Sequence, residues 1–491
     1  MQIYNSAHHK KEEFIPQKEG VIKMYVCGPT VYDQIHIGNG RTFFSFDIIR
    51  RYLMWRGYDL TFVQNLTDVD DKIINRANEN KQDPEELAKH FADSFNEVMK
   101  AFKVLPPDIQ PRATLEINEM IQMISGLIEK GHAYESQGDV YFSVRSYPDY
   151  GHISHRNIDD LLVGARIEAS DIKRDPLDFA LWKKAKPGEP FWESPWGKGR
   201  PGWHSECSAM VHKYLGTPID IHGGGSDLAF PHHENEAAQA DACWEHGLAK
   251  YWMHSGMLQV NHEKMSKSLG NFYTLREILD TYSPDAVRLL MVQTHYRSTM
   301  DFSFDRLDGA SSSLERLKTT MKNLSWHIDQ LSDEKKDELS RESLDLQEAS
   351  KRAREEFTEA MDDDFNSALA TAGLFKLQSE INVYLDKIES SKADKSIALA
   401  AQDTLRELFG IFGIDINDDK VSYPQEIIEL AKRFSDYEGS DTEEAARILL
   451  EVRQEARSQK EWSVADGIRD GLAELGLIVE DTDLGARVVK R

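Results

Sequence analysis

The sequence predicts an α/β protein: a Rossmann-like, doubly wound parallel-sheet domain with an insertion, then an α-helical bundle and a small α+β module. Three observations predict it. Apolar runs suited to buried strands end at glycine or polar turns and give way to amphipathic helical segments. Proline- and glycine-rich stretches bracket residues 105–200, as they would an insertion. From about residue 310 the texture becomes helical periodicity rich in Glu, Lys, Ala and Leu, with few glycines before Phe409-Gly410-Ile411-Phe412-Gly413. A chain of 491 residues also exceeds what one core organises.

Taken in order, residues 21–27 alternate loosely and meet Gly28-Pro29, a buried strand ending at a turn. Thr42 to Trp55 reads as a helix and Leu60 to Leu66 as the next strand, a βαβ unit with ligand groups at its strand ends. The insertion is entered through Leu105-Pro106-Pro107 and left through 195–202. Further strands are expected at Ile219–His222 and Met253–Val260. A helix is expected to start at Phe230-Pro231, with proline in its first turn. Beyond a linker near 417–424, Ala445 to Leu475 reads as helix, and Leu477–Val479 and Arg487–Val489 as two strands. The expected domains are 1–310, 311–416 and 417–491.

Composition narrows the function classes. There is no run of about 18 apolar residues and no apolar core near the start, so a cytoplasmic location is expected. Cys27, Cys207 and Cys243 are too few for a disulfide framework and suit a reducing compartment in which thiolates bind metals. A formal net charge of −25 argues against a protein that coats nucleic acid through bulk charge. Local basic patches remain compatible with one RNA: Lys183-Lys184-Ala185-Lys186, the 264–268 loop, and Arg453, Arg457 and Arg469.

Two distant segments carry phosphate chemistry. His36-Ile37-Gly38-Asn39 sets an imidazole beside a glycine where a strand gives way to a helix, so backbone N–H groups can face phosphate oxygens. Lys264-Met265-Ser266-Lys267-Ser268 sets two ammonium groups three residues apart among hydroxyls. A strand-end turn and a solvated basic loop are the plain alternatives for each alone. A third cluster is metal-like: His232 and Glu236, spaced i and i+4 on a helix, are half of a zinc site, and Cys27 and Cys207 could supply the thiolates. Two buried apolar thiols and a surface histidine would give the same spacing, and His233 rivals His232.

Together the first two segments resemble the HIGH and KMSKS signatures of class I aminoacyl-tRNA synthetases, although Asn39 replaces the final histidine and removes any cationic contact there. Cys27-Gly28-Pro29-Thr30, Thr67–Lys72, Pro201–Cys207, Gly223–Leu228, Phe230–Glu236 and Met361–Asn366 are similar, nearly end to end, to the cysteinyl-tRNA synthetase family. The resemblance implies one zinc held by Cys27, Cys207, His232 and Glu236 that binds the thiol of the substrate cysteine. It implies ATP, with Mg²⁺, at His36, Gly38, Asn39, Asp227, Lys264, Ser266 and Lys267, with His36, Lys264 and Lys267 catalytic. It places Gly28, Thr67 and Trp203 around the cysteine, and Cys243 in the core.

The implied reaction is attack of the cysteine carboxylate on the ATP α-phosphorus, then transfer to the terminal ribose of tRNA(Cys), at the 2′ position. A monomer is expected. One alternative is a ligase that transfers cysteine from its adenylate to a small amine, as mycothiol ligases do; about 180 residues beyond the catalytic part, with 461–470 resembling an anticodon-binding module, count against it. Another is a noncatalytic zinc- and RNA-binding protein, which the intact 264–268 segment disfavours.

Overall fold

The computed structural model describes residues 1–156, 172–260, 263–265, 271–332, 338–417, 423–482 and 485–490. The chain divides into two compact units, Met1–Thr320 with Glu334–Ile416, and Met321–Asp333 with Asn417–Arg491.

The first unit opens with an antiparallel hairpin, β1 (Gln2–Asn5) and β2 (Lys10–Glu13). Then comes the βαβ unit: β3 (Val21–Val26), α1 (Ile37–Trp55) and β4 (Asp59–Gln64). Helices α2 (Asp71–Asn80), α3 (Pro84–Ala101) and α4 (Ile117–Glu129) follow. Strands β5 (Ala133–Ser136), β6 (Asp139–Phe142), β7 (Phe179–Lys184) and β8 (Gly199–Pro201) make a separate antiparallel sheet inside the interval expected to be inserted. The chain returns through α5 (Trp203–Leu215), β9 (Ile219–Gly225), α6 (Glu234–Trp244) and β10 (Ala249–Ser255).

The nucleotide-fold sheet has the order β10-β9-β3-β4, all parallel. Most positions of its strands are buried, polar ones such as Asp220 and His222 included, as in a parallel sheet covered on both faces. β3 is central, so the residue after it, Cys27, emerges at the carboxyl edge, where open α/β sheets hold ligands. In β9, Gly223 lets α1 approach: a Cβ there would lie 2.4 Å from the Phe46 ring.

The expected strand 253–260 is two strands. β10 stops at Ser255, and β11 (Leu258–Val260) joins another sheet with β12 (Glu263–Lys264) and, after helices α7 (Leu275–Leu279) and α8 (Pro284–Val292), β13 (Met300–Phe302). Gly256 makes the break, its N–H donating to Tyr296 O at 2.7 Å. The buried Arg41 of α1 holds this junction by donating to Met257 O (2.9 Å), His295 O (3.2 Å) and Ser298 O. The helix after His36 and the strands leading to Lys264 are thereby tied together.

Helices α9 (Phe304–Asp329), α10 (Arg341–Asp362), α11 (Ser367–Lys387) and α12 (Lys395–Ile411) supply the expected helical region. The Met361–Asn366 run is its fastening to the sheet domain. Asp364, fully buried at φ +64°, accepts from Tyr4 N–H (2.8 Å), Tyr296 OH (2.9 Å) and Arg297 Nε (2.6 Å).

In the second unit, α13 (Glu426–Phe434), α14 (Thr442–Ser458) and α15 (Trp462–Glu474) pack on the antiparallel pair β14 (Leu477–Thr482) and β15 (Gly485–Lys490) around Ile427, Leu449, Ile468 and Leu472. The helix expected over 445–475 is thus two, broken at Lys460 in the left-handed region (φ +63°). Its arginines are not a basic patch. Arg453, 4 % exposed, and Arg457 both pair with Asp481, and Arg469 pairs with Asp466 and Asp470.

Candidate active site and metal centre

The site is built on the carboxyl edge of the central strands. Cys27 N–H donates to Gly223 O (3.0 Å) and Gly28 N–H to Asn65 Oδ1 (2.8 Å), so the ends of β9, β3 and β4 are laced together. A Cβ at Gly28 would stand 1.7 Å from the Asn65 carbonyl oxygen, which only glycine avoids.

This closure brings the four expected metal donors together, all buried. Cys27 Sγ lies 3.6 Å from Cys207 Sγ and 3.5 Å from Glu236 Oε1; Cys207 Sγ lies 3.7 Å from His232 Nε2. Two thiolates on a tetrahedral zinc, each at about 2.3 Å, stand about 3.8 Å apart, and thiolate–imidazole edges are about 3.5 Å. His232 Nε2 and Glu236 Oε1 are closer, at a hydrogen-bonding 2.7 Å. Two sulfurs, one imidazole and one carboxylate fit zinc in both chemistry and spacing.

The regular helix begins at Glu234, not Pro231, because Phe230 is extended (φ −141°, ψ 132°). His232 therefore reaches Glu236 from a wide turn before α6. His233 belongs to a second grouping with Cys27, His222 and Glu236. Its Nδ1 lies 2.8 Å from His254 Nε2, and burial among other imidazoles pushes it well below the usual histidine range.

The electrostatics of the four donors suit a cation. Burial pushes the Cys27 thiol up, reinforced by Cys207 and Glu236. Burial acts the same way on Cys207, but the hydrogen bond with Cys27 and the His232 imidazole outweigh it and bring it to about 6. Burial would lower His232, yet the Glu236 carboxylate raises it to about 10. Glu236 is held well below the carboxylate range, against its burial, by His232 and His222. Cys27 and His232 thus hold protons that a metal would displace, while Cys207 and Glu236 already offer anions.

Several supporting residues escaped the sequence reading. His204 Nδ1 meets His232 Nδ1 at 3.0 Å, leaving His232 Nε2 to face the sulfurs. His222 Nε2 stands 3.0 Å from Glu236 Oε2. Both residues lie in segments already singled out, one beside Trp203 and one closing a strand before a glycine run. Glu206, fully buried, accepts from the Thr67 hydroxyl at 2.6 Å, and burial raises its carboxyl well above the usual range.

A cavity of about 340 Å³ joins this cluster to the phosphate-binding candidates, with Cys27, Gly28, His36, Asn39, Trp203 and Asp227 in its wall. Trp203 stacks on the His232 ring at 4.3 Å and 18°. α1 begins at Ile37, five residues before the expected Thr42, because His36 caps it: Nδ1 accepts from Asn39 N–H at 3.2 Å. The helix N-terminus thus opens beside the cavity, a local field that favours anions. Gly38 and Thr67 lie next to the cavity's lining residues rather than in it. The Lys264 backbone pairs in β12, while its side chain and Ser266 and Lys267 fall outside the described residues. Cys243 is partly buried, its Sγ 3.8 Å from Met123 O, outside both donor groupings.

A parallel sheet with a phosphate-type helix end and a donor cluster on one edge is the construction of a class I aminoacyl-tRNA synthetase. Solved structures agree on the fold. The Mycobacterium tuberculosis methionyl-tRNA synthetase in complex with methionyl-adenylate superposes with a TM-score of 0.60 at 14 % identity, covering 80 % of this chain and 89 % of that one. The Agrobacterium radiobacter K84 agnB2 LeuRS-tRNA-LeuAMS complex gives 0.62 at 12 %, covering 82 % and 84 %.

Family models identify the branch: tRNA synthetases class I (C) catalytic domain over residues 13–312, DALR domain over 356–417, and cysteinyl-tRNA ligase anticodon binding domain over 440–488. The cysteine–tRNA ligase of Desulforamulus reducens is 48 % identical over 496 residues, covering 100 % of both chains. That of Thermococcus gammatolerans is 48 % identical over 489 residues, covering 99 % of this chain and 98 % of its own. The chain belongs to the cysteine–tRNA ligase family.

Proposed function

We propose that the protein activates L-cysteine with ATP and transfers it to tRNA(Cys), and that Cys27, Cys207, His232 and Glu236 hold a zinc that selects the thiol. One observation carries this reading: the four donors cluster behind Cys27, and Cys27 shares one cavity wall with the helix end capped by His36. When bound, zinc supplies a soft Lewis acid for a substrate thiolate, a ligand far superior to the hydroxyl of serine. A hydrophobic pocket alone separates such isosteres only modestly, on the order of a hundredfold.

This chain's residues do the rest by positioning and charge. Gly28 in the cavity wall and Thr67 just behind it stand near the substrate backbone, and Trp203 covers its side chain. The carboxylate attacks the α-phosphorus in line and pyrophosphate leaves. His36, Gly38 and Asn39 face the phosphates, Asp227 the nucleotide, and Lys264, Ser266 and Lys267 the departing pyrophosphate and its Mg²⁺. Within the first segment His36 carries more of this role, since Asn39 only hydrogen-bonds. The domains 1–310, 311–416 and 417–491 are read as catalytic, helical and anticodon-binding, in a cytoplasmic monomer. No helix among the described residues is long and apolar enough to cross a membrane. The small-amine acceptor is not favoured, because the family match extends over the anticodon binding domain.

The test is ATP-dependent charging of total bacterial tRNA with labelled cysteine and, in parallel, labelled serine. Cysteine on tRNA with serine at background is expected. Cysteine-dependent pyrophosphate exchange without charging would move the acceptor to a small amine.

A further inference from the structure

Lys72, the last residue of the Thr67–Lys72 run, has no task in the reaction as read above. It lies in the first turn of α2, where an ammonium opposes the helix dipole, so helix stability does not explain it. Its side chain is exposed, and Nζ stands 5.5 Å from the Tyr32 ring centroid and 5.9 Å from that of Trp203, within cation–π reach of both. Lys72 and Trp203 line not only the 340 Å³ cavity but also a second one of about 790 Å³ against the inserted sheet.

Six cationic side chains line the larger cleft against four carboxylates, Asp70, Asp71, Asp139 and Asp178, a local excess of positive charge on a chain whose net charge is −25. Lys183 and Arg200 share Asp71, with Glu189 also reaching Arg200, while Lys173, Lys184 and Lys186 line the cleft too, with the Tyr141 ring beneath Lys173 at 5.6 Å. Ammonium groups interleaved with aromatic faces suit a single-stranded polynucleotide end, whose phosphates take the charges and whose bases stack. Lys72 stands where that cleft meets the cavity in which the adenylate is made.

We propose that Lys72 binds the 3′-terminal phosphodiester of the acceptor RNA and so places the terminal ribose hydroxyl against the aminoacyl adenylate; this rests on the reading under Proposed function. In the step it serves, the hydroxyl oxygen bonds to the aminoacyl carbonyl carbon. The bond from that carbon to the phosphate oxygen breaks with its electron pair on AMP, and the hydroxyl proton passes to an AMP phosphate oxygen. Lys72 holds the nucleophile and takes no proton.

The experiment compares wild type, Lys72→Met and Lys72→Arg in two assays, cysteine-dependent pyrophosphate exchange and single-turnover transfer from enzyme-bound adenylate to a CCA-ended tRNA(Cys) transcript. Lys72→Met should keep exchange within about threefold and lose roughly 30-fold or more in transfer, with Lys72→Arg recovering most of it. Equal losses in both assays would put Lys72 on ATP, and unchanged transfer would remove it from the reaction; either overturns the proposal. Absence of exchange in the wild type would instead overturn the function itself.

Discussion

Replacing Gly28 with alanine adds one methyl group and removes nothing, so it isolates the closure of the strand ends. The new carbon would sit 1.7 Å from the Asn65 carbonyl oxygen and 2.8 Å from its carbon. Ordinary C–H···O contact needs about 3.3 Å, so β3 and β4 must part by roughly 1.6 Å at this point. That strains the 2.8 Å Gly28–Asn65 bond and carries Cys27, the preceding residue, away from Cys207. Metal–ligand distances tolerate only about 0.2 Å, and a 1 Å misplacement of reacting groups costs about 100-fold. Gly28→Ala should therefore lower zinc content well below one per chain and reduce kcat/KM for cysteine in pyrophosphate exchange by about 100-fold. KM for ATP should stay within about threefold, because the His36 end is built on α1. Unfolding should cost no more than about 1–3 kcal/mol, the range for overpacking. Full zinc content with cysteine kinetics within twofold of wild type would refute the reasoning.

Other expectations follow from single contacts. Lys267→Ala should reduce the rate of pyrophosphate exchange by 100-fold or more while leaving cysteine affinity, read by equilibrium binding, nearly unchanged. Arg288, fully buried, donates to Asp47 Oδ2 (2.5 Å), Phe412 O (2.7 Å) and Phe102 O (3.1 Å); Arg288→Met should cost about 3 kcal/mol in denaturant unfolding, and a loss under about 1 kcal/mol would contradict that role. Asp481 is held down to about 2 by its hydrogen bonds with Arg453 and Arg457. Its folded-state value lies below the unfolded one, so the stabilisation is present above about pH 4 and fades as pH falls towards 2. Because Asp481 is about half exposed, Asp481→Asn should cost only on the order of 1 kcal/mol at pH 7, measured by hydrogen exchange in α14, with the cost shrinking below pH 4.

Much of this was legible in the sequence because it is written in local chemistry. The strand ending at Cys27, the turn at Gly28 and the apolar runs of the sheet follow from pattern and punctuation, and the element types match the structure. The errors share a cause. Ser255 and Leu258 read as one strand because both flanks are apolar; the break depends on Gly256 meeting Tyr296, forty residues away. The 445–475 helix divides at Lys460, whose left-handed backbone no propensity announces. α1 starts early because His36, singled out for phosphate, is also its cap.

At the site, helical spacing singles out His232 and Glu236 with Cys27 and Cys207 as candidate thiolates, motif resemblance implies the full set, and His233 remains a rival. What could not be read was the closure that sets Cys27 3.6 Å from Cys207, 180 residues on. Nor could it reveal the imidazoles of His204 and His222 behind the donors, since these depend on which strand ends face one another. The arginine patch fared worst. Arg453 reads as an RNA contact but serves as a buried partner of Asp481, because sequence shows charge without its neighbour.

The claim at the centre of this account is that the Cys27, Cys207, His232 and Glu236 cluster holds zinc and offers it to the thiol of the substrate. X-ray absorption at the zinc edge of the purified protein, alone and with cysteine or serine, tests it directly. The account predicts a shell of two sulfurs with nitrogen and oxygen at about 2.0–2.3 Å, gaining a third sulfur with cysteine and unchanged by serine. A protein that carries zinc but shows no added sulfur with saturating cysteine would contradict it.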